Sequence, residues 1–93
     1  MNEMSMVTAF VLINIDGNDI RDIANDLLLS EGVTEVYPIA GEYDLLCILR
    51  VYDNSRLSQL ITEEIIKKEG IKTTKTLFAL DAFAKVDLET VFG

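Results

Sequence analysis

The chain has 93 residues, enough for one small domain, and 49% of them are hydrophobic, which argues against disorder. The net charge of −8 disfavours a protein that reads DNA or RNA directly, because nucleic-acid affinity comes largely from cations. Histidine is absent, which removes the commonest general base and metal ligand, so no metal or other cofactor is expected.

The single cysteine and the first residues bear on where the protein acts. Cys47 lies in an apolar stretch and cannot form a disulfide within the chain, and the first residues lack the basic segment of a signal peptide. The apolar run that starts at Val7 is broken by Asn14 and Asp16, so it is too short to cross a membrane. These features predict a cytoplasmic location and no membrane partner.

The first part of the sequence predicts a strand, a helix and a second strand. Val7–Ile15 is rich in β-branched and aliphatic residues and predicts the first strand. An apolar stripe with helical spacing follows, which predicts a helix capped by Asn18 and reaching Glu31. Residues 33 to 39 predict a weaker strand, in which Pro38 favours an edge position.

The second part predicts the same three elements. After a short turn comes the most apolar stretch of the chain, a third strand that ends near Val51. Residues 53 to 55 offer several N-caps for a second helix over residues 56 to 69, and residues 71 to 80 predict a fourth strand.

The two halves repeat each other at an offset of 38 residues. Gly32 and Gly70 close the two helices, and Ile23 matches Ile61 on their apolar stripes. The order is therefore βαβ-βαβ, and right-handed crossovers place both helices on one face of a four-stranded antiparallel sheet. We predict an α+β fold of the ferredoxin-like βαββαβ type, with strands one and three in the centre.

The face of this sheet without helices is predicted to be apolar. Phe10 and Leu12 on strand one, and Leu46 and Ile48 on strand three, lie opposite the residues that face the helices. Burying several hundred Å² of such a face is worth roughly 10 kcal/mol gross. We therefore expect a twofold homodimer that pairs sheet on sheet, a dimeric α+β barrel.

We expect residues 1–93 to form a single domain, with 81–93 as a C-terminal extension. The extension contains Phe83, Val86 and Phe92, which are too apolar for a loose tail. We expect them to pack, and a partner subunit is one surface available to them.

The turn before the third strand carries groups that suit a small zwitterion. Asp44 can accept a charge-assisted hydrogen bond from an ammonium group. Backbone N–H groups around Gly41 and the hydroxyls of Thr74 or Thr76 can donate to a carboxylate. From the residues alone the alternative stays open that Asp44 only caps the turn and that the threonines are ordinary strand residues.

These residues resemble two motifs of the Lrp/AsnC effector-binding domain, also called the RAM domain. The family shows a G-[DE]-[YF]-D turn before strand three and a G-[VI]-x-x-T-x-T segment in strand four. The resemblance covers roughly residues 6 to 82. The residues that match the two motifs, and that the resemblance implies as ligand-binding residues, are Gly41, Glu42, Tyr43, Asp44, Thr74 and Thr76.

The resemblance implies a dimeric barrel, further assembly into rings of four or five dimers, and a role in transcription or amino-acid metabolism. It also implies an amino-acid effector near the turn, at the contact between neighbouring dimers. The family's N-terminal helix-turn-helix domain has no counterpart here, because the first strand starts within ten residues. We therefore expect a stand-alone module that acts without binding DNA itself, through a partner such as a full-length relative.

Three other classes of protein stay open. An ACT-like allosteric domain has the same element order and binds amino acids, but commonly dimerises edge to edge. A small α+β barrel enzyme is disfavoured by the absence of histidine and of a paired carboxylate in the predicted core. A purely structural assembly module would differ in having no ligand. The expected protein is not an enzyme.

Overall fold

The computed structural model describes residues 6–17 and 19–85. Two helices pack on one face of a four-stranded antiparallel sheet with the strand order β2-β3-β1-β4, which confirms the predicted ferredoxin-like fold and its central strands. The elements are β1 (Val7–Ile15), α1 (Ile20–Leu28), β2 (Val33–Pro38), β3 (Leu45–Val51), α2 (Asn54–Gln59), a π-helical segment (Leu60–Ile65) and β4 (Ile71–Phe78).

The core lies between the helices and one face of the two central strands. Alternate residues of these strands are fully buried there, because every second side chain of a strand points to the same side. Burial raises the pKa of the Cys47 thiol to about 12, so the group stays protonated. The fully buried strand residues are Ala9, Val11, Ile13, Leu45, Cys47 and Leu49, and the helices cover them with Ile23, Leu27, Leu57, Leu60 and Ile65.

The first helix is shorter than predicted at its C-terminal end. Asp19 is its N-cap, and the Asp19 carboxylate accepts a backbone N–H two residues further on at 2.8 Å. The predicted cap, Asn18, lies outside the described residues. The Ser30 N–H donates to the Leu27 carbonyl at 3.1 Å, a tightened last turn that ends the helix before the predicted Glu31.

The second helix widens instead of continuing to residue 69. Asp53 caps it by accepting the Arg56 N–H at 2.7 Å, as one of the predicted caps. From Leu60 the backbone turns are wider, and the Ile66 N–H donates to the Ile61 carbonyl, five residues earlier, at 3.1 Å.

The internal repeat is visible in the structure. Gly32 and Gly70 follow the two helices with φ values of +105° and +90°, the backbone region that glycine reaches without strain. Leu28 and Ile66, 38 residues apart, are both exposed, at 45% and 47%. The apolar stripe predicted for the first helix is therefore buried as far as Leu27, and Leu28 lies outside the buried side.

The other face of the sheet, here called the open face, carries no helix. Its centre is the row in which Ile48, Phe10 and Leu77 are register partners, and the next row pairs Leu46 with Leu12. Within the described residues no element packs over this face, and residues 81–85 are exposed. No helix among the described residues is long and apolar enough to span a membrane.

Candidate functional site

A turn joins β2 to β3 at one end of the sheet. Gly41 lies at its tip with a φ of +155°, and no atom lies within 4 Å of the position that a Cβ would occupy. The Ile39 N–H donates to the Asp44 carbonyl at 3.0 Å and closes the turn. The backbone at Gly41 is therefore exposed to solvent. Its conformation is one that glycine adopts readily, as the sequence predicts.

Asp44 connects this turn to the central strand. Its backbone N–H donates to the Ile13 carbonyl, and its side-chain Oδ2 accepts the Ile15 N–H, both at 2.9 Å. The carboxylate thus has a structural role at the end of the β1–β3 ladder. Within the part of the chain that the structure describes, Oδ1 has no hydrogen-bond partner, so this oxygen of a half-buried carboxylate can accept from a ligand.

A second polar pair lies at the same end of the sheet. Asn14 Nδ2 donates to Thr73 Oγ1 at 3.1 Å, across the β1–β4 ladder. Asn14 is adjacent in the chain to both Ile13 and Ile15, which bond to Asp44, so this pair is close to the turn. Thr73 was not predicted as a site residue from the sequence. The alternation of side chains along the fourth strand does place it on the opposite face from Thr74 and Thr76.

Thr74 and Thr76 lie elsewhere. They are register partners of Ile13 and Val11, whose side chains are buried under the helices, so both threonines point to the helix-covered face. Because β1 lies between β3 and β4, Thr74 is two strand spacings from the start of β3, about 10 Å. Within one copy, the structure does not bring these threonines to the turn.

The other two predicted residues of the turn are differently placed. Glu42 is exposed at the tip, beside Gly41, and Tyr43 is half-buried. Gly41, Glu42, Tyr43 and Asp44 therefore form one continuous surface segment. The segment offers two groups to a ligand: the exposed backbone at Gly41 and the Asp44 carboxylate, which its hydrogen bond to the Ile15 N–H holds in place.

The β2 edge of the open face carries a charged network that was not predicted from the sequence. Arg50 Nη1 donates to Thr34 Oγ1 at 2.9 Å and to Glu35 Oε2 at 3.1 Å. The Tyr37 hydroxyl donates to the other Glu35 oxygen. The Tyr37 and Arg50 hydrogen bonds lower the pKa of Glu35, and the bond to Glu35 raises the pKa of Tyr37. The sequence feature that could have indicated this network is Arg50, a charged residue within the otherwise apolar β3 strand.

Comparison with known proteins decides the family of this chain. The family model of the Lrp/AsnC ligand binding domain matches residues 8–87. The chain belongs to this family. An uncharacterized HTH-type transcriptional regulator of Pyrococcus abyssi is 32% identical over 77 residues, which cover 80% of this chain and 51% of the regulator. The chain thus spans about half the length of the Pyrococcus regulators that it matches.

This chain is also similar to a segment of an enzyme. A homocitrate synthase of Sulfolobus acidocaldarius is 33% identical over 75 residues, which cover 80% of this chain and 16% of the enzyme. The similarity is therefore confined to a minor part of that enzyme.

Solved structures have the same fold. The crystal structure of TTHA0845 from Thermus thermophilus is similar with a TM-score of 0.77 and 35% identity, over 85% of this chain and 99% of that one. The Neisseria meningitidis transcriptional regulator NMB0573, solved as an L-Met complex, has a TM-score of 0.72 at 17% identity, over 91% of this chain and 58% of that one. The latter is a likeness of fold.

Proposed function

We propose that this Lrp/AsnC domain is a non-catalytic module that binds a free amino acid at the Gly41–Asp44 turn and acts in transcriptional or metabolic regulation in the cytoplasm. The observation that carries the proposal is the fixed carboxylate of Asp44, which has one oxygen bound to the Ile15 N–H and the other available. The family match and the regulators among the relatives support the regulatory role.

The turn offers complementary groups for an amino acid. An ammonium group donates to Asp44 Oδ1 in a charge-assisted hydrogen bond, and the ligand carboxylate accepts from backbone N–H groups near Gly41. The L-Met complex of a protein with the same fold supports this ligand class. Thr74 and Thr76 are too far from the turn within one copy, so in this proposal they contribute from a neighbouring copy.

Self-association is the second part of the proposal. The open face has an apolar central row, with the Asn14–Thr73 pair at one end and the charged network along the β2 edge, the apolar core and polar rim expected of an interface. A second copy packed on this face forms the dimeric barrel, and its rim lies beside the Gly41–Asp44 turn. Rings of dimers, and mixed assemblies with full-length Lrp/AsnC regulators, would follow from the same surfaces. Ligand binding at such a contact changes the assembly through linkage.

Asp44→Asn is expected to abolish amino-acid binding while leaving the fold stable. An asparagine carbonyl oxygen still accepts the Ile15 N–H, but the negative charge that attracts an ammonium group is gone. Calorimetric titration with each of the twenty amino acids measures binding, and thermal unfolding measures stability. We expect at least a tenfold loss of affinity with little change in melting temperature.

Asp44→Ala is the matched comparison for this experiment. It removes both the charge and the acceptor, so the Ile15 N–H loses its partner at a cost of about 1–3 kcal/mol. Binding by the unmodified protein that persists in Asp44→Asn would place the ligand elsewhere. A protein that responds to none of the twenty amino acids would contradict the proposed function itself.

A second candidate function is that the chain regulates a biosynthetic enzyme, and not a transcription factor. The observation that favours it is the matching segment within homocitrate synthase. The purified chain can be mixed separately with a full-length Lrp/AsnC regulator and with a homocitrate synthase from the same cell. Association that responds to an amino acid and occurs only with the enzyme would favour this second function.

A further inference from the structure

An uncharged groove lies between α2, the π-helical segment and β4, on the face opposite to the open face. It has a volume of about 420 Å³. No charged residue lines it, although the chain carries 24 charged residues in all, 8 basic and 16 acidic. Its lining residues are Asn54, Leu57, Ser58, Ile61, Thr62, Thr76 and Phe78.

The segment after β4, here called the arm (residues 80–93), begins beside this groove. The Ala79 N–H donates to the Thr8 carbonyl at 3.0 Å, and this is the last backbone bond of the described chain to the sheet. Beyond it Leu80 is 99% exposed and Phe83 is 94% exposed. The arm continues for eight residues past Lys85, and four of these are apolar: Val86, Leu88, Val91 and Phe92.

We propose that the arm of one copy docks in the groove of a second copy, with Phe83 as its anchor. Leu80 and Phe83 are apolar and almost fully exposed, and the groove presents the apolar side chains of Leu57, Ile61 and Phe78 that such a residue can contact. An aromatic ring buries roughly 150–250 Å² when it enters such a site. Phe78 lines the groove, whereas Phe83, five residues later, is 94% exposed and is not among the lining residues, so the proposed anchor does not occupy the groove of its own copy.

This surface is separate from the sheet-on-sheet interface and from the Gly41–Asp44 turn of its own copy, although it includes Thr76, which is proposed to contribute to the amino-acid site of a neighbouring copy. The groove lies on the helix-covered side, whereas the proposed dimer uses the open face. Arm exchange therefore gives this chain a second mode of association, between the outer surfaces of two copies.

Disulfide trapping tests the exchange in the full-length chain. A tagged Ala84→Cys protein, which keeps the Phe83 ring, is mixed with an untagged Ser58→Cys protein under mild oxidation, and mixed dimers are identified by mass on a non-reducing gel. Both positions are exposed, so neither substitution disturbs the core. Cys47 does not interfere, because it is fully buried and its thiol stays protonated with a pKa of about 12.

Leu29→Cys in place of Ser58→Cys is the control, since Leu29 is 81% exposed on the helix-covered side but does not line the groove. We expect at least tenfold more mixed dimer with Ser58→Cys than with Leu29→Cys. Equal yields would overturn the proposal. In a chain that carries both Ala84→Cys and Ser58→Cys, a disulfide formed solely within the chain would also overturn it, because the arm would then occupy its own groove.

Discussion

Leu46→Asp is expected to break the pairing of two open faces, and so to lower the mass of the assembly, while each chain stays folded. Leu46 lies in the centre of the open face, and its cross-strand neighbours, Leu12 and Tyr37, carry no charge that would repel an aspartate in the monomer. In the proposed dimer the two new carboxylates become buried without partners, at roughly 3 kcal/mol each. The dissociation constant should rise about 10⁴-fold. Light scattering after size exclusion measures the mass, and circular dichroism checks the fold.

Leu29→Asp provides the matched control for this substitution. Leu29 is a leucine of the helix-covered side that is already exposed, so the same change of chemistry should leave the mass unaltered. An unchanged mass for Leu46→Asp would remove the open face as the dimer interface. A loss of mass in both variants would point to a general effect of added negative charge on a chain of net charge −8.

Gly32→Ala is expected to destabilise the fold strongly, although it adds only one methyl group. A Cβ at Gly32 would lie 2.8 Å from Val51 Cγ1 and 2.9 Å from Leu60 Cδ2, where both neighbours belong to the core. The φ of +105° adds backbone strain for any residue with a side chain. We expect the free energy of unfolding to fall by about 2–5 kcal/mol, from strain and overpacking together.

Gly17→Ala separates the two contributions. Gly17 also has a positive φ, +74°, but nothing lies within 4 Å of its Cβ position, so only the strain term applies. Urea unfolding of both variants at one fixed protein concentration gives the comparison, because association would otherwise contribute. Equal losses for Gly32→Ala and Gly17→Ala would mean that the core next to Gly32 relaxes freely.

The fold was predictable because its signals are periodic and local. The alternation along the first strand separates Val11 and Ile13, which are buried, from Phe10 and Leu12 on the open face. The glycine after each helix marks a real change in backbone conformation, as the φ values at Gly32 and Gly70 confirm. These features depend on neighbours within a few residues, which a sequence displays directly.

The candidate site was only partly predictable, because its contacts join distant residues. The bond from the Ile15 N–H to the Asp44 carboxylate spans 29 positions and depends on the exact pairing of β1 with β3. The face of Thr74 and Thr76 is set by the register between β1 and β4, which shifts at Ile15. A shift of one residue reverses the face of every side chain, so a motif alone could not place them.

The second helix shows another limit. Its apolar spacing predicts one continuous α-helix, but the backbone widens between Leu60 and Ile65 while still burying Leu60, Ile61 and Ile65. The apolar spacing therefore predicts which side chains of this segment are buried, but not the width of its turns.

The pairing of two open faces is the central claim, since that pairing covers the apolar sheet and completes the surroundings of the Gly41–Asp44 turn. Sedimentation velocity of the unmodified protein over a dilution series, from tens of micromolar to below one micromolar, tests it directly. We expect a species of twice the 10.4 kDa chain mass, or an even multiple of that mass, at micromolar concentration. A single 10.4 kDa species throughout the series would contradict the claim.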